Sequence, residues 1–351
     1  MASNSFGILF RFTTWGESHG PCVGVVLDGI PSDFPLDLDL VQRDLDKRKP
    51  GTSKLVSGRK EPDQLKVLSG LYEGRTTGAP LTFTFQNSDA QKDDYEKIRE
   101  LFRPGHADFT YRQKYRNRDP YGGGRSSARE TIGRVVAGSV ASQYLAKWGI
   151  RVQGRVSRVG SVLEDQEKMM QEVLLAKQDG DSIGGQVEVQ ATGVPAGVGE
   201  PIYEKLDARL AYALMSINAV KAVEIGDGVE VVAKRGSRNN DQMGSEGFKT
   251  NHCGGILGGI STGEPIIARI TLKPTPSIFK TQETLSTSGE EAEIQLRGRH
   301  DPCVAYRAVV VAEAMMAQVL LDMILMSRAL QGNQQKFFLE SEEEASQRES
   351  I

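Results

Sequence analysis

The chain has 351 residues, 38% of them apolar and 25% charged, an ordinary globular composition that suits one large domain or two smaller ones. A formal net charge of -3 excludes a global electrostatic pull toward nucleic acid or an anionic membrane, so any anionic ligand must be held by local clusters of Arg and Lys. Cys22, Cys253 and Cys303 are too few and too scattered for a disulfide framework, and no CxxC pair points to zinc. The first residues lack the basic region and apolar core of a signal peptide, and a reducing, cytoplasmic setting is expected.

In chain order, residues 6–14 and 23–27 read as strands separated by a Gly-rich turn. Asp37 is placed to cap a helix through Leu40, Val41 and Leu45, stopped by Pro50-Gly51. Residues 81–85 alternate Leu, Thr, Phe, Thr, Phe, which is strand periodicity. Residues 130–148 follow a helical pattern whose Gly133, Ala137, Gly138 and Ala141 suit close packing on another helix. Later strands are expected at 187–191 and 266–272, with a helix from Pro201 to Leu214. The most hydrophobic stretch, 304–326, carries Arg307, Glu313 and Asp322 and reads as a buried core helix, not a membrane span. Strands and helices mix without strict alternation, which gives an α+β class. A single domain over residues 1–333 is expected, followed by an acidic, disordered tail at 334–351.

The chemistry concentrates around four histidines, His19, His106, His252 and His300, all in segments dense with Gly, polar and charged residues. None sits on a periodic apolar face, which points to a shared site for proton transfer, although any one of them has an even chance of being a loop histidine bonded to backbone. Gly16-Glu-Ser-His-Gly20 also fits G-x-S-x-G, the nucleophile elbow of hydrolases, yet scarcely one strand precedes it, so a Ser18 nucleophile is disfavoured. No histidine spacing suits a metal. Gly122-Gly-Gly-Arg-Ser-Ser-Ala-Arg129 supplies glycines, hydroxyls and two arginines at the start of a helix, a phosphate-site design without the Gly-Lys of a P-loop. Further cations stand at Arg43, Lys47, Arg48 and Lys49, at Arg103, Arg112, Lys114, Arg116 and Arg118, and at Arg297 and Arg299. The group from Arg103 to Arg118 holds too many cations for an indifferent loop, whereas each of the other two alone reads as a solvated surface; together they describe an enzyme for a phosphorylated, highly anionic small molecule. A phosphoanion-binding protein without catalysis is the rival, with no need for so many histidines.

These segments resemble the chorismate synthase family. Gly16-Glu-Ser-His-Gly20 with Val25-Val-Leu-Asp-Gly-Ile-Pro31 is similar to its first signature, Gly124-Arg-Ser-Ser-Ala-Arg-Glu-Thr131 to its second, and Gly298-Arg-His-Asp-Pro-Cys303 with Ala312-Glu-Ala314 to its third. Arg103 to Asp108, residues 216–225 and residues 251–261 also look like that family, in family order, over about residues 6–330. The resemblance displaces the hydrolase reading. It implies a β-α-β sandwich with a helical core flanked by antiparallel sheets, assembled as a homotetramer. It also implies reduced FMN and the 1,4-elimination of phosphate from 5-enolpyruvylshikimate 3-phosphate to give chorismate. No extra domain for reducing flavin is present, which implies the monofunctional type with an external reductant, NADPH acting through a separate flavin reductase.

By residue matching, His19 protonates the leaving phosphate, His106 protonates reduced flavin and Asp301 helps the flavin take the ring proton, with Ser18 and Ser127 as relays. Arg125, Ser126, Ser127, Arg238, Asn239, Gly258, Lys273, Pro274, Thr275, Pro276, Ser277 and Arg299 match FMN contacts. Arg48, Lys54, Arg103 and Arg129 match positions for substrate or NADP. Three residues depart from the family pattern. Lys54 stands for arginine, Pro276 replaces a serine and so removes one FMN donor, and Cys253 replaces an alanine.

Overall fold

Alternating apolar residues build two five-stranded sheets, each facing inward with one side. The structure, a computed structural model, describes residues 3–49, 62–87, 98–121, 123–296 and 301–331. The first sheet contains β1 (Ser5–Phe6), β2 (Arg11–Gly16), β3 (Cys22–Asp28), β4 (Lys66–Ser69) and β5 (Leu81–Gln86) in the order β1-β2-β3-β5-β4. The second contains β6 (Arg151–Val159), β7 (Val162–Leu163), β8 (Gly185–Thr192), β9 (Val220–Ile225) and β10 (Ile266–Leu272) in the order β9-β10-β8-β6-β7. Every pairing within them is antiparallel. Register sets the inner faces: Val25 opposes Phe83 in the first sheet, and Val187 and Val189 oppose Ile270 and Ala268 in the second. All six side chains are fully buried.

The helices are α1 (Leu38–Arg48), α2 (Asp108–Tyr115), α3 (Thr131–Ala146), α4 (Gln166–Gln178), α5 (Leu206–Met215) and α6 (Ala305–Gln331), and α3 and α6 fill the space between the sheets. α3 lies against β2 and β3, α6 lies against β6 and β8, and α3 and α6 pack on each other. This is the expected sandwich with a helical core. Asp37 caps α1 as expected, its carboxylate accepting from the N–H groups of Asp39 and Leu40. Gly138 lets α3 and α6 touch, since a Cβ there would lie 2.2 Å from the Cα of Ala314.

By length and composition α6 could cross a membrane, yet it is buried between the sheets, and most of its charged and amide groups have partners there. Arg307 pairs with Asp301 at 2.6 Å, Glu313 accepts from Gly154 N–H at 2.7 Å, and Gln318 donates to the Arg134 carbonyl at 2.6 Å. Asp322 accepts from the N–H groups of Ile8, Leu9 and Phe10 at 2.9, 2.8 and 2.9 Å. That last set corrects the expected strand at 6–14. Residues 8–10 give their N–H groups to Asp322 and not to a neighbouring strand, so the strand divides into β1 and β2. The helix expected from Pro201 starts at Leu206, because the Leu206 N–H goes to the Gly259 carbonyl at 2.9 Å. Pro50-Gly51 and the expected tail lie outside the described residues.

Candidate active site

A cavity of about 950 Å³ opens where the end of α1, the starts of α3 and α6, and the loops after β2, α5 and β10 converge. Among the described residues, eight cationic side chains line it (Arg48, Arg103, Arg118, Arg125, Arg129, Arg134, Lys273 and Arg307) against four carboxylates, Glu17, Asp119, Glu130 and Asp301. In a chain of net charge -3, that local excess marks a site for anions.

Two of the arginines are held from behind. Arg48 and Arg129 each donate to one oxygen of Asp63, which is 1% exposed and has a φ of 45°. Burial works to raise the Asp63 carboxyl, but the charges and hydrogen bonds of Arg48 and Arg129 outweigh it and hold the group below its ordinary range. Burial also lowers Arg48 to about 10, against the pull of Asp63, and the arginine stays charged at neutral pH. Arg129 Nε also donates to Asn87 Oδ1, and Asn87 Nδ2 donates to the carbonyls of Glu17 and Gly20 at 2.9 and 2.7 Å. The loop carrying Ser18 and His19 is thereby tied to the arginine pair.

Within that loop Ser18 Oγ and His19 Nδ1 are 3.0 Å apart, and both residues are buried. They stand behind Glu17, which lines the cavity where they do not. His106 does line it. Asp108, 2% exposed, accepts from Arg103 Nε at 2.7 Å, from Arg103 Nη2 at 2.8 Å and from Arg118 Nη1 at 2.9 Å, and lies 3.0 Å from His106 Nδ1. Burial lowers His106 below the ordinary imidazole range, with Asp108 acting in the opposite direction. The ring is also packed against Gly123, whose φ is +87° and where a Cβ would sit 2.6 Å from His106 Cε1, so a side chain is excluded there on both counts.

The glycine–serine segment differs from its expected form. α3 does not begin at once; two short 3₁₀ turns, Gly124–Ser126 and Ala128–Glu130, precede it, because Ser126 and Ser127 N–H groups bond back to Gly123 and Gly124. Arg125 donates to Thr14 Oγ1 at 2.6 Å and to the Thr14 carbonyl at 3.1 Å. Ser126 Oγ donates to Gly123 O at 2.7 Å, and Ser127 Oγ accepts from Arg129 N–H at 3.3 Å. Lys273, Thr275, Pro276 and Ser277 line the facing wall, with Lys273 donating to the Gly105 carbonyl. Asp301 is held by Arg307.

Other expected residues lie apart. Pro274 packs toward Gly184, Arg238 and Asn239 sit in a short helical turn, and Gly258 in a small hairpin; none lines the cavity. His252 is also elsewhere, 2.6 Å from Asp227 Oδ2, so the four histidines do not share one site. Lys54, Arg299 and His300 lie outside the described residues. Sequence reasoning missed Asp63 and Asn87, since a lone acid or amide in a polar stretch carries no local signal; Asp108 was visible only as the end of a motif.

Among the described residues, three buried polar atoms on the lining have no hydrogen-bond partner: Arg48 Nε, Asn218 Oδ1 and Thr275 Oγ1. A bound polar ligand would relieve that cost. The volume is near the top of the usual range of about 300–1,000 Å³, enough for two small molecules side by side. The donor set therefore fits a phosphorylated cofactor beside an anionic substrate.

An α+β sandwich whose cation-lined cavity includes a histidine held by a carboxylate is an enzyme for small anions. The chain belongs to the chorismate synthase family, whose model matches residues 10–325. It is also similar to a solved structure titled "Crystal Structure of Chorismate Synthase", with 29% identity, 92% of this chain and 93% of that one covered, and a TM-score of 0.71. The family is a group of lyases that carry out the chorismate-forming step of the shikimate pathway on a small-molecule substrate, using reduced flavin.

Proposed function

We propose that this cavity binds reduced FMN and 5-enolpyruvylshikimate 3-phosphate together and eliminates phosphate and a ring proton to give chorismate. The eight cations around a cavity that retains unpartnered buried donors carry the reading. The substrate's two carboxylates and phosphate require several fixed cations, and Arg48, Arg103 and Arg129 are already oriented by buried carboxylates, which lowers the cost of ordering them on binding.

FMN contacts fall to Arg125, Ser126, Ser127, Lys273, Thr275, Pro276 and Ser277, which line the cavity; Arg238, Asn239 and Gly258 have no such support within this chain. Reduced flavin supplies transient electron density and a proton acceptor, with no net oxidation between substrate and product. His19, with Ser18 as its relay, would give its proton to the departing phosphate and lower the cost of the charge developing there; both stand behind Glu17, so this role requires the loop that carries them to turn toward the cavity on binding. His106 holds a proton on the flavin side, and Asp301, oriented by Arg307, assists removal of the ring proton with Ser127 as relay. The reading extends to a cytoplasmic homotetramer, one catalytic domain per chain, kept reduced by an external NADPH-dependent flavin reductase.

The test is an anaerobic assay with catalytic reduced FMN, following released phosphate, chorismate and flavin absorbance together. Many turnovers with flavin still reduced are expected. One flavin oxidised per phosphate released would replace elimination by an ordinary oxidoreduction and sink the proposal.

A further inference from the structure

The mechanism above uses His106 but leaves Asp108 unexplained. This carboxylate is almost wholly buried, does not line the cavity, and gathers three side chains that do: Arg103, His106 and Arg118. Arg103 is bound at both ends of the carboxylate and also donates to it through its backbone N–H at 3.2 Å. Five contacts on two oxygens exceed what a structural ion pair between two residues would need.

His106 has two possible partners at Nδ1. Asp108 Oδ1 lies 3.0 Å away and can only accept; Arg103 Nη2 also lies 3.0 Å away and can only donate. The two arrangements demand opposite tautomers of the neutral ring. If Nδ1 accepted from Arg103, Nε2 would carry the proton of the neutral ring. If Nδ1 donates to Asp108, the neutral ring has its lone pair on Nε2, on the edge that packs toward Gly123 and the cavity. Only the second arrangement also suits the imidazolium, whose Nδ1–H needs an acceptor. Arg103 Nη2 is already engaged with Asp108 Oδ1 at 2.8 Å.

From this geometry we infer that Asp108 is a positioning residue that fixes His106 with Nδ1–H toward the protein, so that Nε2 is the nitrogen that exchanges a proton with the cavity. The inference deepens the proposed function and rests on it for the use made of that proton. Arg103 and Arg118 then have a second task beside anion binding: they keep Asp108 ionised, so that it remains an acceptor for the ring. Burial acts to raise the Asp108 carboxyl, and the hydrogen bonds of Arg103 and His106 together with the Arg103 charge hold it far below its ordinary range. The other charged groups near the ring are Lys273, bonded to the Gly105 carbonyl, and Asp119 and Glu17, which stand beside Gly124.

Two measurements on the full chain test this, Asp108→Asn and the nitrogen NMR spectrum of histidine-labelled enzyme, with His106→Gln identifying the resonance. In the unsubstituted protein the neutral His106 ring is expected to carry its proton on Nδ1. In Asp108→Asn the His106 titration should move to lower pH, because an opposite charge beside the ring is lost. The alkaline limb of the rate should move with it, with turnover about tenfold lower on that limb. Merely loosened Arg103 and Arg118 would lower activity equally at all pH values and leave the titration in place. A neutral ring protonated on Nε2, or an unmoved titration in Asp108→Asn, overturns the inference. The unsubstituted spectrum decides the tautomer even if Asp108→Asn fails to fold. A protein that makes no chorismate would refute the proposed function and leave the NMR result to be judged separately.

Discussion

Gly138→Ala isolates the contact on which the helical core depends. The added Cβ would lie 2.2 Å from both the Cα and the Cβ of Ala314, and 2.7 Å from the Ala314 carbonyl oxygen. Carbon atoms rest at roughly 3.5–4.0 Å, so α3 and α6 would have to separate by more than 1 Å, roughly. No rotamer change relieves this, because the obstacle is backbone. Intrinsic helix propensity favours alanine over glycine by about 1 kcal/mol, whereas overpacking costs typically about 1–3 kcal/mol and more where backbone must move. The net expectation is a loss of about 2 kcal/mol, the upper part of that range less the propensity gain. Activity should fall as well, since the starts of the same two helices carry Arg134 and Arg307 into the cavity. Urea unfolding measures the stability, with Gly236→Ala as control: its Cβ would meet nothing nearer than 4.0 Å and its φ is not positive. A Gly138→Ala protein as stable as the unsubstituted one would refute the reasoning.

Asp322→Ala should cost about 3 kcal/mol in urea unfolding, because it strands three N–H groups of residues 8–10; an unchanged midpoint would show that water replaces the carboxylate. Arg125→Ala should weaken FMN about tenfold by fluorescence titration while Arg112→Ala has little effect, since Arg125 lines the cavity and Arg112 donates to the Arg116 carbonyl instead. Equal weakening would mean that general electrostatics holds the flavin. Stability should fall in acid. Asp63 and Asp108 have folded pKa values below the ordinary 3.8, so their contribution is complete above that value and is lost as pH falls through the folded values. Unfolding midpoints that stay level below about pH 4 would contradict this.

How much the residues disclosed in advance depended on whether the signal was local. Asp37 beside an apolar run announced α1, and Ile266–Leu272 alternates so regularly that β10 was readable to its ends. β6 was not, because Gly154 interrupts the pattern; its bareness makes sense only with Val309 and Glu313 of α6 packed across it. α4 went unseen because only Met169 and Val173 are buried, too few to mark a helical face. At the site, clustered arginines and glycines exposed the lining. Asp63 stayed hidden because it is 15 residues from Arg48 and 66 from Arg129, a distance that only the tertiary structure closes. His252 shows the opposite failure: polar, glycine-rich surroundings looked like those of His106, yet its partner is Asp227 in another place.

The carboxylate of Asp322 also has a consequence for the order of folding. Its bonds to residues 8–10 join positions 312 to 314 residues apart, and the helix that bears it covers the inner face of the second sheet. During synthesis the N-terminal strands therefore wait for almost the whole chain before their last hydrogen bonds can form. Long-range closure of this kind slows folding and leaves apolar sheet faces open meanwhile. The start of α6 arrives at the cavity only with that closure, so a nascent chain that ends before Ala305 has the other lining arginines but lacks Arg307 and the wall that α6 supplies.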